Sequence, residues 1–195
     1  ISVSNLDCSG DSACKGGFVN STHIEDGAVI SCLGSEACAS IGIQCPGGPN
    51  SCDVQCQGED ACANASMISV SNLDCSGDSA CKGGFFDGIR NEGCVNISCT
   101  GTEACAGNAT FVSPAITTGR CKLDCVYPKV CMESNMLNFG SLVCSSDSAC
   151  KGANMDSTHI EHGIAVACTG TESCTSMGIQ CPGRNNSCDV QCQGE

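Results

Sequence analysis

The sequence predicts an all-β fold: a right-handed parallel β-helix, or β-solenoid, of about eight coils of 19–26 residues, stapled by disulfides. Three observations lead there. The phrase Cys-x-Gly-x-x-Ala-Cys, or a close variant, starts at Cys8, Cys32, Cys56, Cys75, Cys99, Cys125, Cys144, Cys168 and Cys192, in steps of 24, 24, 19, 24, 26, 19, 24 and 24 residues. Two positions before each of these cysteines stands an aliphatic residue, from Leu6, Ile30 and Val54 through to Val166 and Val190. Large side chains are scarce, with no Trp, one Tyr and five Phe against 24 Gly and 23 Cys in 195 residues, so an ordinary globular core is excluded.

The strand of each coil is read from the aliphatic residue and the cysteine two positions later, which share one face of an extended chain. Segments such as Asn-Leu-Asp-Cys and Asp-Val-Gln-Cys alternate apolar with polar, the pattern of a half-buried strand, and no apolar stripe recurs at helical spacing. One strand per coil cannot bury its apolar face alone, so equivalent strands stack in parallel and form continuous ladders. At about 4.8 Å per rung the stack is a rod roughly 40 Å long. After the strand, the Gly two positions beyond the cysteine (Gly10, Gly34, Gly58, Gly77, Gly101, Gly170, Gly194) suits a bend with positive φ, and the Ala or Ser at the fifth position leaves room inside the corner. Coils this long favour a three-sided helix of right-handed sense.

The coils group into larger units. Residues 68–85 repeat 1–18 letter for letter, STHIE recurs at 21–25 and 157–161, and CDVQCQGE recurs at 52–59 and 188–195. The units run 1–67, 68–136 and 137–195, within one continuous solenoid. With no initiator Met, signal peptide or polar capping repeat, the sequence is expected to be a window on a longer polypeptide.

Spacing alone does not fix cysteine connectivity, but parity restricts it. If each phrase closes on itself, the pairs are Cys8–Cys14, Cys32–Cys38, Cys56–Cys62, Cys75–Cys81, Cys99–Cys105, Cys125–Cys131, Cys144–Cys150 and Cys168–Cys174. Cys45 with Cys52 and Cys181 with Cys188 then bracket matching loops. In the middle unit the equivalent of Cys45 is read as Phe111 or Val112, which leaves Cys94 and Cys121 to pair between coils, with a one-residue offset in their strand positions. Cys192 remains over. Each small loop closure is worth about 2 kcal/mol in the chain-entropy picture. A ladder between coils, such as Cys8 to Cys32, is the rival scheme, and it fits a leading column of nine less well. Zinc at Cys52/Cys56 and Cys188/Cys192 is disfavoured, because spacing of four turns both sulfurs inward and no His accompanies them. So many cysteines point to an oxidising compartment, secreted or at a cell surface.

Five Asn-x-Ser/Thr acceptors, at Asn20, Asn64, Asn96, Asn108 and Asn185, agree with that compartment and predict N-linked glycans. Net charge is −13, from 8 basic and 21 acidic residues, so nucleic acid is repelled, and no apolar run is long enough for membrane insertion. Acidic residues recur three and four positions after the leading cysteines, as Asp11, Glu36, Glu59, Asp60, Asp78, Glu103, Asp147 and Glu172. Lys15, Lys82 and Lys151 are placed to neutralise part of these columns, and Ca²⁺ is the one cofactor the carboxylates suggest, although no calcium-loop signature is present. His23 with Glu25, and His159 with Glu161 and His162, read as surface loop, since Arg90 replaces the histidine in the middle unit. The largest exception to the repeat is the sixth coil, where Arg120, Lys122, Tyr127 and Lys129 form a basic island with no nucleophile or base pair beside it. It reads as a lateral contact for the acidic face of another rod, not as a catalytic site. Thr residues form no regular column, which argues against ice binding.

In the phrase Cys-x-Gly-x-x-Ala-Cys with its preceding aliphatic residue, the chain resembles cysteine-rich β-helical repeat proteins of stramenopile algae and other protists. The resemblance spans the whole chain, and the sixth coil departs from it with Val126 and Tyr127 where x-Gly is expected. It implies building material for extracellular fibres such as flagellar hairs (mastigonemes). The expected function is therefore the self-assembling shaft of an extracellular, glycosylated filament, and not an enzyme. The alternative is a cell-surface adhesion or ligand-binding stalk whose head lies elsewhere.

Overall fold

The computed structural model describes residues 3–20, 24–48, 51–89, 94–114, 121–183 and 186–193, and among them there is no helix, hence none long and apolar enough to cross a membrane. The described strands are β1 (Val3–Ser9), β2 (Phe18–Val19), β3 (Ile24–Leu33), β4 (Gly42–Gln44), β5 (Cys52–Cys56), β6 (Ser66–Ile68), β7 (Val70–Cys75), β8 (Phe85–Asp87) and β9 (Asn96–Cys99). They continue as β10 (Thr110–Val112), β11 (Lys122–Cys125), β12 (Asn135–Leu137), β13 (Ser141–Cys144), β14 (Asn154–Asp156), β15 (Ile164–Thr169), β16 (Gly178–Gln180) and β17 (Cys188–Gln193). Odd-numbered strands build a nine-stranded sheet and even-numbered strands an eight-stranded one. Every pairing is parallel and joins one coil to the next, so the chain is a disulfide-rich β-solenoid.

The odd sheet is the one the sequence announces. Leu6 lies opposite Ile30, Ile30 opposite Val54 and Val54 opposite Leu73, while Cys8, Cys32, Cys56 and Cys75 form the parallel column beside them. Through the middle of the rod both columns are buried, Ile30, Leu123, Leu142 and the leading cysteines being nearly or wholly inaccessible. Burying each aliphatic side chain contributes about 1.5–3 kcal/mol.

The even sheet corrects the expectation of one strand per coil. Its strands are two or three residues long, so each offers one column position to the core, Val19, Ile43, Met67, Phe86, Phe111, Met136, Met155 and Ile179, and in β10 Val112 is buried as well. One apolar residue between two outward ones is too short for an alternation to register as a strand. At mid-rod Phe86 and Phe111 stack with ring centroids 5.3 Å apart and planes within 8°. The two inward columns meet in one continuous core.

A third, non-sheet side joins the odd strand to the even one. In the first coil Ser12 and Cys14 adopt φ of 56° and 55°, with Gly16 at 66°, and the intervening Ala13, Lys15 and Gly17 N–H groups close turns onto Gly10, Ser12 and Cys14 carbonyls. Ser12 N–H donates to Ser35 C=O at 2.8 Å and Gly16 N–H to Ala39 C=O at 2.9 Å in the next coil, while Cys38 N–H reaches back to Ala13 C=O at 2.8 Å. Turn and ladder bonds therefore alternate along this side. The left-handed conformation costs a non-glycine residue roughly 1–2 kcal/mol, and it persists where the surroundings over-determine it. Here the disulfide and the inter-coil bonds do so.

The positive φ that the sequence suggests for the glycine column is present at Gly10, Gly58 and Gly170, at 121°, 158° and 138°, and the other described members have a different reason. Gly34, Gly77 and Gly101 have no positive φ; instead a Cβ on Gly77 would stand 2.0 Å from the Gly58 carbonyl oxygen, and one on Gly101 2.0 Å from that of Gly77. Backbone of one coil rests on backbone of the last.

Differences in coil length are confined almost entirely to the return from the even sheet to the odd one. Leading cysteine and even strand are ten residues apart in Cys8/Phe18, Cys32/Gly42, Cys56/Ser66 and Cys75/Phe85 alike, with one extra residue in Cys99/Thr110. In the 19-residue coil, β6 passes to β7 through Ser69 alone, whereas β4 and β5 are separated by residues 45–51. The boundaries between large units, 67/68 and 136/137, fall inside β6 and β12, so the units share hydrogen-bonded strands and no joint separates them.

Gly77→Ala should lower the thermal midpoint by the equivalent of at least about 2 kcal/mol, because backbone must separate from backbone. Gly183→Ala, where an added Cβ meets nothing within 4 Å, should change stability by less than about 0.5 kcal/mol. Equal melting of the two variants in circular dichroism would contradict the packing role of the column.

Candidate functional site

The corner after each odd strand concentrates the chemistry of the chain. All ten expected bonds within coils are present: the eight Cys-x5-Cys pairs from Cys8–Cys14 to Cys168–Cys174, with Cα separations of 5.7–6.2 Å, and the loop bonds Cys45–Cys52 and Cys181–Cys188 at 5.8 and 5.9 Å. Ala37, Ala61, Ala80, Ala104, Val130 and Ala149 fill the corners and are fully buried. Among the described residues, two groups of metal-ligating type lie close together, Cys32/Cys38/Cys62 and Cys75/Cys99/Cys105, and both consist of half-cystines whose lone thiolates no longer exist. Ten disulfides place the protein in an oxidising environment.

On the outer surface of the corners, the acidic columns are resolved coil by coil. Asp11, Asp78 and Asp147, in the first coil of each unit, accept the backbone N–H of Ser35, Thr102 and Thr171 in the second coil, at 3.3, 3.0 and 3.1 Å. Lys15, Lys82 and Lys151 reach Glu36, Glu103 and Glu172 at 2.6, 2.7 and 2.7 Å. The lysine hydrogen bond, helped by Ser12 and Ser148 at the two outer pairs, holds the Glu36, Glu103 and Glu172 carboxyls below the ordinary value. Six of the eight carboxylates that the sequence offered to Ca²⁺, all but Glu59 and Asp60, thus already have protein donors.

The Cys94–Cys121 bond expected from parity is not closed. Cys94 and Cys121 are thiols in hydrogen-bond contact, and burial, with that contact second, pushes the Cys94 thiol up to about 12. The register supplies the reason: Asn96 pairs with Lys122, so Val95 and not Cys94 lies abreast of Cys121. The Cys45 equivalent also needs correction. Gln44, Ile68, Asp87 and Val112 share one column of the even sheet, so the next column holds Cys45, Ser69, Gly88 and Ser113. Ser113, not Phe111 or Val112, occupies the cysteine position, fully buried with its hydroxyl unpartnered, while Phe111 and Val112 are core residues. Cys192 is an exposed thiol.

At the sixth coil Val126, Tyr127, Pro128 and Lys129 all face solvent, with Tyr127 50% exposed in the position that every other coil except the seventh, which has Ser146, gives to glycine. Lys122 is tied to Asp124 at 2.8 Å, and Lys129 acts on Glu103 one coil earlier, contributing to its lowered pKa. Arg120 lies outside the described residues, so the basic island is seen in part. Of the glycan acceptors, Asn64, Asn96 and Asn108 are exposed and Asn20 is half-buried; Asn185 lies outside the described residues, as do His23 and Arg90. Asn96 sits on the outer face of the odd sheet in an amide ladder, donating to Asn72 at 3.2 Å, which donates to Asp53 at 2.6 Å. His159, Glu161 and His162 are exposed on the connection between β14 and β15. Shallow troughs run between outward columns; that on the even sheet, about 360 Å³, is lined by Thr110, Asn135, Leu137, Asn154, Asp156 and Gln180 among others.

No protein-family model, curated protein or solved structure matches the chain.

The lowered carboxyls set a pH dependence. Their folded pKa values lie below the ordinary 4.5, so the stability they add is present above pH 4.5 and lost as pH falls through the folded values. The loss should amount to a few degrees of melting temperature and vanish in high salt, since the pairs are exposed. In an NMR titration, Lys82→Met should move Glu103 most of the way back to its ordinary value, Lys129 holding the remainder, while Glu36 and Glu172 stay unmoved.

Proposed function

We propose that the protein is structural and forms the shaft of an extracellular, glycosylated filament. The observation that supports this most is the seamless join between large units: a unit boundary inside a paired strand means that each added copy lengthens the rod without a hinge. A near-exact repeat suits a role in which every segment does the same work. The ten disulfides fit an extracellular setting, and the exposed Asn64, Asn96 and Asn108 are accessible for glycans.

Self-assembly needs a lateral contact that overcomes mutual repulsion at net charge −13. The sixth coil offers it. At the corner where the third coil of the first unit exposes Glu59 beside Asp60, the third coil of the second unit presents Pro128 and Lys129 next to an exposed Tyr127. Acidic corner of one rod against basic corner of another is a complementary pairing, with Arg120, Lys122, Tyr127 and Lys129 on the basic side. The second reading, an adhesion or ligand-binding stalk, draws on the same exposed patch at 126–129 as a recognition surface.

Negative-stain microscopy of native material should show uniform filaments whose axial period is near three rungs, about 14 Å; isolated rods ending in globular heads would favour the stalk. Lys129→Glu should abolish lateral bundling at low salt and leave single filaments intact. Bundles unaffected by both the substitution and salt would remove the sixth coil from the lateral contact.

A further inference from the structure

We propose that Cys94 and Cys121 are an oxidation site that closes into a disulfide between successive coils, a covalent rung-to-rung staple in a rod whose ten other described bonds all lie within coils. Three features converge on it. In the outer units the cysteine four positions before the third coil's leading cysteine bonds within its own coil, as Cys52 to Cys45 and Cys188 to Cys181. In the middle unit the same cysteine is Cys121, and its partner position is Ser113, whose buried hydroxyl has no hydrogen-bond partner. Cys121 is thereby left 2% exposed and unbonded, and the register that pairs Asn96 with Lys122 sets a second free thiol, Cys94, one coil earlier and one position out of step with it.

Closure needs Cys94 to make up its one-residue offset from Cys121. Cys121 directly precedes β11, and Cys94 lies two residues before β9, outside the hydrogen-bonded register, so it can slide toward its neighbour without breaking the ladder between Asn96 and Lys122. The chemistry is a two-electron oxidation by a disulfide donor, small-molecule or protein, of the kind that must already have formed the other bonds. One thiolate attacks a donor sulfur and expels a donor thiol, then the second thiolate attacks the mixed disulfide and expels the other. Two protons and two electrons leave Cys94 and Cys121, and the donor departs as two thiols. The raised pKa of Cys94 leaves little thiolate at neutral pH and makes the folded pair slow to react, so closure belongs to folding in the oxidising compartment. The inference rests on that compartment, not on filament assembly, which can fail while the bond forms.

The staple encloses the 27-residue step from 94 to 121, one whole coil. Under axial tension that coil cannot peel away, and roughly 90 Å of chain stays hidden from the pull. The full chain, secreted from a eukaryotic host, would be alkylated with iodoacetamide in denaturant without reduction, digested and mapped by mass spectrometry. A Cys94–Cys121 linked peptide two hydrogens lighter than the separate thiols is expected; alkyl groups on both, or partners elsewhere, would overturn the proposal. Ser113→Cys keeps it falsifiable from the other side. With a sulfur restored in its own coil, Cys121 should switch to the new partner and Cys94 should become alkylated. Retention of the Cys94 link in that variant would refute the argument from Ser113.

Discussion

Each coil lies about 4.8 Å from its neighbours and in register with them, so almost every residue faces its own equivalent. A column must therefore tolerate itself. Aliphatic groups and half-cystines do so inside the rod, where Leu6, Ile30, Val54 and Leu73 repeat beside Cys8, Cys32, Cys56 and Cys75. At the corner, where backbone rests on backbone, the tolerant residue is glycine, and the 2.0 Å approach of a would-be Cβ on Gly77 shows how little space remains. Charges stacked on like charges would repel, and the unit of three coils answers that need. Its first coil brings Asp and Lys, its second brings Ser or Thr and Glu, and the two interlock in all three units.

This constraint also divides the labour between covalent and non-covalent forces. The Cys-x5-Cys bonds join residues six apart and add nothing directly between rungs. What they hold is the corner, in which the second cysteine of each phrase adopts a left-handed conformation, as Cys38 does at φ 57° and Cys105 at 58°. Cohesion along the axis comes from the two parallel ladders, the turn-side hydrogen bonds and the inward columns. Length variation collects on the return between sheets, outside the ladders, where added residues disturb no rung.

Much of this was legible in the residues. The odd strands, the ten closed disulfides and the continuity across units follow from a period that recurs nine times and from parity among the cysteines. The even strands were not legible, because a lone inward Ile43 or Met155 between polar neighbours lacks the second alternation that marks a strand. Nor was the identity of the Cys45 equivalent: the one extra residue between Cys99 and Thr110 shifts the count, and only strand pairing places Ser113 in the column. The sixth-coil island was visible as composition, yet its division into an internally paired Lys122 and a Lys129 whose charge acts on Glu103 required the coil-to-coil geometry.

By itself the sequence determined the repeat, the inward aliphatic and cysteine columns and the bonds that close within seven residues, since each depends on local spacing along one chain. The tertiary structure decided what depends on the neighbouring coil. It decided that Gly77 and Gly101 are required by close approach and not by their φ, that Asp78 and Lys82 serve Thr102 and Glu103, and that Cys94 stands beside Cys121. The physical reason is that these relations link residues 19 to 27 positions apart, and a register between strands, which spacing cannot supply, is what makes them neighbours.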